Sequence, residues 1–131
     1  MMDLFVLHSG KQNASMEVSI KSFHGILLHK VHFLVNINEI NETEKLSDWY
    51  FVLYDDEILS PELKGAMPVF IGMDTFAVLA AYKKDNDNVV TRAPRLFRSN
   101  VRLKKDCLQV ARFSGVSEIM LNGWIYAQDN C

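Results

Sequence analysis

The run Trp49-Tyr-Phe-Val-Leu-Tyr54 constrains the fold more than any other part of the chain. It is aromatic and β-branched, too short for a core helix, and preceded by the polar stretch Asn38 to Asp48, so it reads as a central strand. Strands on either side of it follow from alternation. Met16, Val18 and Ile20 fall on one side of Ser15–Lys21, with Glu17, Ser19 and Lys21 on the other, which predicts a half-buried strand. Ile26 to Ile37 predicts a second, with Val31, Phe33, Val35 and Ile37 on one face and Lys30, His32 and Asn36 on the other. Phe97, Ser99, Val101 and Leu103 alternate with Arg98, Asn100, Arg102 and Lys104, whose basic face should be wet.

Helix signals are fewer. Ser60-Pro61-Glu62 supplies an N-cap residue, a proline at the first helical position and an acid in the first turn, with Gly65 placed to end the helix after one or two turns. Asp74 caps a second candidate over Thr75 to Lys84, for which a strand through Tyr82 is the alternative. Asp106 can cap a short helix from Cys107 to Phe113, closed by Ser114-Gly115. Asn122-Gly123, between two apolar runs, predicts a type I′ turn and therefore a C-terminal β-hairpin. The expected fold is α+β: a mostly antiparallel sheet of about five to seven strands, with one or two short helices packed on one face.

A chain of 131 residues, 49% hydrophobic, without repeats or low-complexity tracts, predicts one compact domain over residues 1–131 with one core. Its longest nearly uncharged stretch, Gly65 to Tyr82, is broken by Pro68, Gly72 and Asp74, so no membrane span is expected. Met1 to Phe5 carries no basic segment ahead of its apolar residues, and two cysteines, Cys107 and Cys131, are too few for a disulfide scaffold. These features together predict a soluble, cytoplasmic protein with reduced thiols.

Catalytic and metal motifs are sparse. His24, His29 and His32 lie close in sequence, but strand alternation sends His29 to the face opposite the other two, so no metal site is expected. Asp55-Asp56-Glu57 follows the aromatic strand; acids there can hold a cation or move protons, yet they also begin solvated turns, and no phosphate-binding glycine loop accompanies them. Cys107, near Lys104 and Lys105, reads as a small hydrophobe rather than a nucleophile. The expectation is a protein that is not an enzyme and carries no cofactor; an enzyme built on Asp55, Glu57 and His32 would require those side chains to converge.

Charge placement is the unusual feature. Lys83 to Arg112 holds nine basic residues against three acids, a balance of +6, while Glu39 to Glu62 holds eight acids against Lys45, a balance of −7. Segregated charge steers partners. The expected function is a non-catalytic protein-binding module of the inhibitor, immunity-protein or adaptor kind, with self-association by strand pairing in the same class. Its partner-binding residues are expected to be Arg92, Arg95, Arg98, Arg102, Lys104, Asp55, Asp56 and Glu57. Nucleic-acid binding through Arg92 to Lys105 is the alternative. Against both stands the reading in which acidic and basic segments pair within the monomer.

Overall fold

The structure is a computed structural model that describes residues 2–8, 20–21, 23, 28–45, 47–55, 57–71, 78–84, 87, 89–105 and 118–127. Among the described residues, seven strands form one sheet: β1 (Met2–Leu7), β2 (Leu28–Leu34), β3 (Trp49–Tyr54), β4 (Glu57–Leu59), β5 (Val78–Lys84), β6 (Val90–Arg98) and β7 (Glu118–Ala127). Their order is β2-β1-β3-β6-β5-β7-β4. Two helices among the described residues, α1 (Glu39–Glu42) and α2 (Pro61–Ile71), make the fold α+β. Among the described residues, no helix is long and apolar enough to cross a membrane.

The sheet is mixed rather than mostly antiparallel. β1 pairs in parallel with both β2 and β3, and β5 in parallel with β7, while β3–β6, β5–β6 and β4–β7 are antiparallel. The physical reason is connection length. Residues 8–27 and 35–48 are long enough for the crossovers that parallel neighbours require, which tight-loop reasoning overlooks. β1, a strand the alternation pattern did not mark, is buried along its whole length because it lies between two parallel neighbours.

Helices lie on both faces instead of one. Leu63 and Met67 of α2, with Phe23 and Ile20, join Met2, Leu4, Val6, Trp49, Phe51 and Leu53. Ile40 of α1 joins Phe5, Leu7, Tyr50, Val52, Phe97, Val101 and Leu103 on the other side. The expected single core is thus two buried layers, separated by β1 and β3. The winding explains this. From β1 the chain moves outward to β2, then returns past β1 to β3, and right-handed crossovers in opposite directions fall on opposite faces.

Local sequence signals mark helix and turn positions, while tertiary packing changes their extents. Ser60 is the N-cap: its hydroxyl accepts the Leu63 N–H at 3.1 Å. Gly65 does not end α2, which continues through Pro68 to Ile71 because Leu63 and Met67, one turn apart, are both fully buried. Residues 78–84 are strand β5, so the Asp74-capped helix is replaced by its alternative; Asp74 itself lies outside the described residues. Ile20 and Lys21 lie in a helical turn, not a strand, and 15–19 lie outside the described residues, as does the expected helix over 107–113.

The C-terminal hairpin is also corrected: Glu118–Ala127 is one strand. Its register against β5 jumps from Ala80↔Met120 to Tyr82↔Trp124, so Asn122-Gly123 occupies a bulge. The same residue types that permit a turn permit the extra residues of a bulge.

Four steps along a flat sheet would separate β3 from β4 by about 19 Å, at roughly 4.8 Å per strand. Yet only Asp55 and Asp56 connect them, and the Tyr54 N–H donates to the Glu57 carboxylate at 2.8 Å. The sheet therefore coils until β4 returns beside the end of β3. Leu53, Leu59, Ala93, Leu96 and Ile125, from four different strands, meet inside that coil.

Two substitutions in α2 test its ends and interior. Gly65→Ala should stabilise the protein by about 0.5–1 kcal/mol, since nothing lies within 4 Å of the added Cβ. Ser60→Ala should cost about 1 kcal/mol through the lost cap. Urea unfolding of both variants reads these effects directly.

Candidate functional site

Where the coiled sheet closes, three charged side chains meet. Glu57, the first residue of β4, has no exposed surface, and Arg95 of β6 is 5% exposed. Arg95 grips the carboxylate with both terminal nitrogens: Nη1 donates to Oε1 and Nη2 to Oε2 at 2.9 Å. Lys83 of β5 approaches Oε2 at 2.5 Å. A third bond, from Arg95 Nη1 to the Val52 carbonyl at 3.3 Å, ties the cluster to β3.

The backbone aims Arg95 at this position. Between Leu79↔Leu96 and Ala80↔Pro94 the ladder shifts, so Arg95 has no opposite residue on β5. A bulge of this kind re-aims its side chain. The Tyr54 ring covers the assembly, 5.0 Å from Arg95 Cζ and 5.5 Å from Lys83 Nζ. Burial alone would raise the Glu57 carboxyl, but the Arg95 guanidinium and then Lys83 outweigh it and hold it below its ordinary 4.5.

A second polar cluster sits on β1. Asp3 is fully buried, accepts the Ser47 hydroxyl at 3.1 Å, and has His32 Nε2 at 3.7 Å from its other oxygen, beyond hydrogen-bond reach. His32 stacks on Phe5 at 4.5 Å, and its Nε2 is buried without a hydrogen-bond partner among the described residues. Burial lowers the His32 imidazole below its ordinary 6.5; Asp3 opposes this, while Lys30 and Lys45 add to it. Lys45, lowered by burial and then by Arg102, donates to the Ile40 carbonyl and lies over the Tyr50 ring.

The expected site residues therefore separate. Arg95 and Glu57 do not face a partner; they hold each other. Arg98 is half-buried, its guanidinium 4.4 Å from the Trp49 ring that it opposes in register, so it does not belong to a wet face. Arg102 and Lys104 are exposed. Asp55 lies in the turn after β3, while Asp56 lies outside the described residues, as does the side chain of Arg92. His32 and Glu57 belong to two different clusters, so the imagined catalytic grouping with Asp55 is not assembled. Among the described residues no group of three His, Cys, Asp or Glu side chains is arranged to hold a metal ion.

Pairing within the monomer also brings the two oppositely charged stretches together a second time. The Asn41 side chain of α1 donates to the Leu103 carbonyl at 2.9 Å and accepts the Leu103 N–H at 3.0 Å. This clasp ties the backbone at Leu103, between Arg102 and Lys104, to α1.

An open groove of about 450 Å³ is lined by Leu7, His8, Val35, Asn36, Ile37, Tyr54 and Asp55. All seven lie at or just past the carboxyl ends of β1, β2 and β3. Next to it, Phe33 is 47% and Val35 64% exposed. Sequence reasoning missed both Asp3 and the groove. Asp3 did leave a signal: a lone acid between Met2 and Leu4 in an apolar strand must be paired if that strand is buried. No known protein family and no curated protein matches the chain.

The ion cluster predicts a pH dependence with a definite sign. A carboxyl whose folded value is depressed contributes stability that is complete above its unfolded value, near 4.5, and disappears as pH falls through the folded one. Glu57→Gln should cost about 3–5 kcal/mol at neutral pH, because Arg95 is left buried and unpaired, and should flatten the fall of Tm below about pH 5. For His32, the carbon-bound ring protons followed by NMR should titrate with a midpoint below 6.5.

Proposed function

We propose that this chain is a non-catalytic protein-binding module whose partner adds an extended segment along the edge of β2. The observation that carries the reading is that edge. β2 ends the sheet, pairs only with β1 among the described residues, and presents Phe33 exposed, with Val35 exposed just beyond it. Unpaired backbone groups beside exposed apolar side chains suit recognition by strand addition, in which main-chain hydrogen bonds give affinity and side-chain pockets give specificity. A second copy of the chain pairing through β2 belongs to the same class of interaction.

The docking surface differs from the one that charge segregation suggests. Part of that charge is already used: Glu57 with Arg95 and Lys83, and Arg98 over Trp49. The same facts weigh against nucleic acid as partner. Among the described side chains of the basic run only Arg102, Lys104 and Lys105 are exposed, and the acidic α1 attached to that segment through Asn41 would disfavour a polyanion.

The test is a comparison of two surface variants. Partners captured by the wild-type chain are identified by mass spectrometry, and the affinity of each is then measured with purified proteins. Phe33→Lys should weaken binding at least tenfold and leave Tm within a few degrees, whereas the pair Arg102→Glu and Lys104→Glu should change affinity less than threefold. The reverse pattern would move the interface to the basic segment. Sedimentation of the wild-type chain alone reports whether a second copy occupies the edge.

A further inference from the structure

His32 stands on the edge strand with a polar atom that the fold leaves unsatisfied. Its side chain is 9% exposed, and its Nε2 is buried with no hydrogen-bond partner among the described residues. Packing holds the ring: it lies on Phe5 of β1, its opposite residue in the register, with centroids 4.5 Å apart and planes inclined by 12°. A neutral imidazole short of one hydrogen bond is tolerable there. An imidazolium is not, because a buried charge must be both paired and hydrogen-bonded.

The groups around the ring do not supply that pairing. Asp3 of β1 faces Nε2, but its Oδ2 stands 3.7 Å away and its other oxygen accepts the Ser47 hydroxyl. Lys30 of β2 and Lys45 of the segment before β3 both oppose a further positive charge. Tyr50 of β3, edge-on to Phe5, is kept neutral by burial and donates its hydroxyl to the Val101 carbonyl, while Arg102 acts on Lys45 and Tyr50. Burial outweighs the attraction of Asp3, so the ring takes its proton only below the ordinary 6.5. Two more imidazoles belong to this edge: His29 is exposed, and His8 meets the Phe33 ring edge-on at 6.3 Å.

Among the described residues β2 pairs with β1 alone, and the ladder slips between Met2↔Leu28 and Asp3↔Lys30, which leaves His29 without an opposite residue. Past the slip, Val31, His32 and Leu34 are only partly buried. We propose that His32 is an acid-operated release for this edge: a proton on its ring opens the pairing of β2 with β1 and withdraws the strand that a partner extends. Linkage gives the sign. A histidine lowered in the closed strand contributes stability that is complete above about 6.5 and is lost as pH falls through its closed-strand value. The opening stands on the ring and its neighbours; its effect on a partner rests on the strand-addition reading above.

The test is amide hydrogen exchange of the ¹⁵N-labelled full chain between about pH 7.5 and about pH 5.5, expressed as protection factors so that the pH dependence of free-chain exchange is removed. Protection of the β2 amides should fall at least threefold more than that of the β3 amides, in step with the titration of the His32 ring protons. Lys30→Gln, at an exposed position, should move this loss to higher pH, and His32→Gln should abolish it. His29→Gln and His8→Gln should leave it in place. A β2 protection that follows β3 throughout, one that rises in acid as an ion pair with Asp3 would make it, or a loss that persists in His32→Gln would overturn the proposal. The wild-type profile and Lys30→Gln decide the matter even where His32→Gln does not fold. With a captured partner, affinity should fall in acid at the same midpoint. Acid loss of β2 protection together with binding indifferent to Phe33→Lys keeps the release and removes the strand edge as the docking site. Flat β2 protection together with binding lost in Phe33→Lys removes the release and keeps the strand edge.

Discussion

The coil of the sheet depends on one buried carboxylate. Glu57 begins β4, and its two oxygens collect Arg95 from β6, Lys83 from β5 and the backbone N–H of Tyr54 at the end of β3. Four strands that are not all neighbours in the sheet are thereby gathered at one point. An isolated carboxylate with no exposed surface would be expelled or protonated; here the bidentate guanidinium satisfies both oxygens, and the partly exposed ammonium adds a second cation. Buried ion pairs are weak contributors to net stability compared with a well-packed apolar substitute, but they tolerate few alternative geometries. In this fold the cluster selects the register in which β4 closes on β3.

The two halves of the sheet solve different problems. β2, β1 and β3 form a parallel unit covered on both faces, which is why β1 and β3 are almost continuously apolar and why Asp3 must be paired inside it. β6, β5, β7 and β4 form the coiled part, and both of its ladder irregularities lie on β5: one opposite Arg95, the other opposite Asn122-Gly123. Bulges increase local twist, so the sheet bends most where its register slips. The bulge at Arg95 also places the residue that fastens the bend.

The sequence was most legible where burial is simple and least legible where it is not. Trp49–Tyr54 reads correctly because a short aromatic and β-branched run admits few other structures, and Ser60-Pro61 marks a true helix start because capping is local chemistry. Residues 78–84 were ambiguous because their pattern suits a helix and a strand equally, and only pairing to β6 and β7 decides it. The parallel pairings were invisible because nothing local distinguishes a crossover from a loop. Charge was misread for a related reason. Asp55-Asp56-Glu57 looks like one solvated turn, but strand alternation starts inside it, so Glu57 turns inward while Asp55 remains at the groove. A lone arginine after Pro94 looks exposed until the bulge is known.

The same cluster that closes one end of the sheet determines what the other end can do. A seven-stranded sheet has two edges, and each presents unpaired backbone to solvent unless covered. Because β4 is drawn back against β3 through Glu57, one end is folded onto the molecule itself and shielded by the Tyr54 ring. Among the described residues β2 has no equivalent. Its described neighbour is β1, its charged side chain Lys30 is exposed, and Phe33 is exposed while Leu34 packs against the core. Lys30 discourages indiscriminate pairing along a flat edge. On the reading proposed above, an added strand would meet this lysine and the exposed Phe33 together, so selectivity would come from the combination of the edge's charge and its apolar surface.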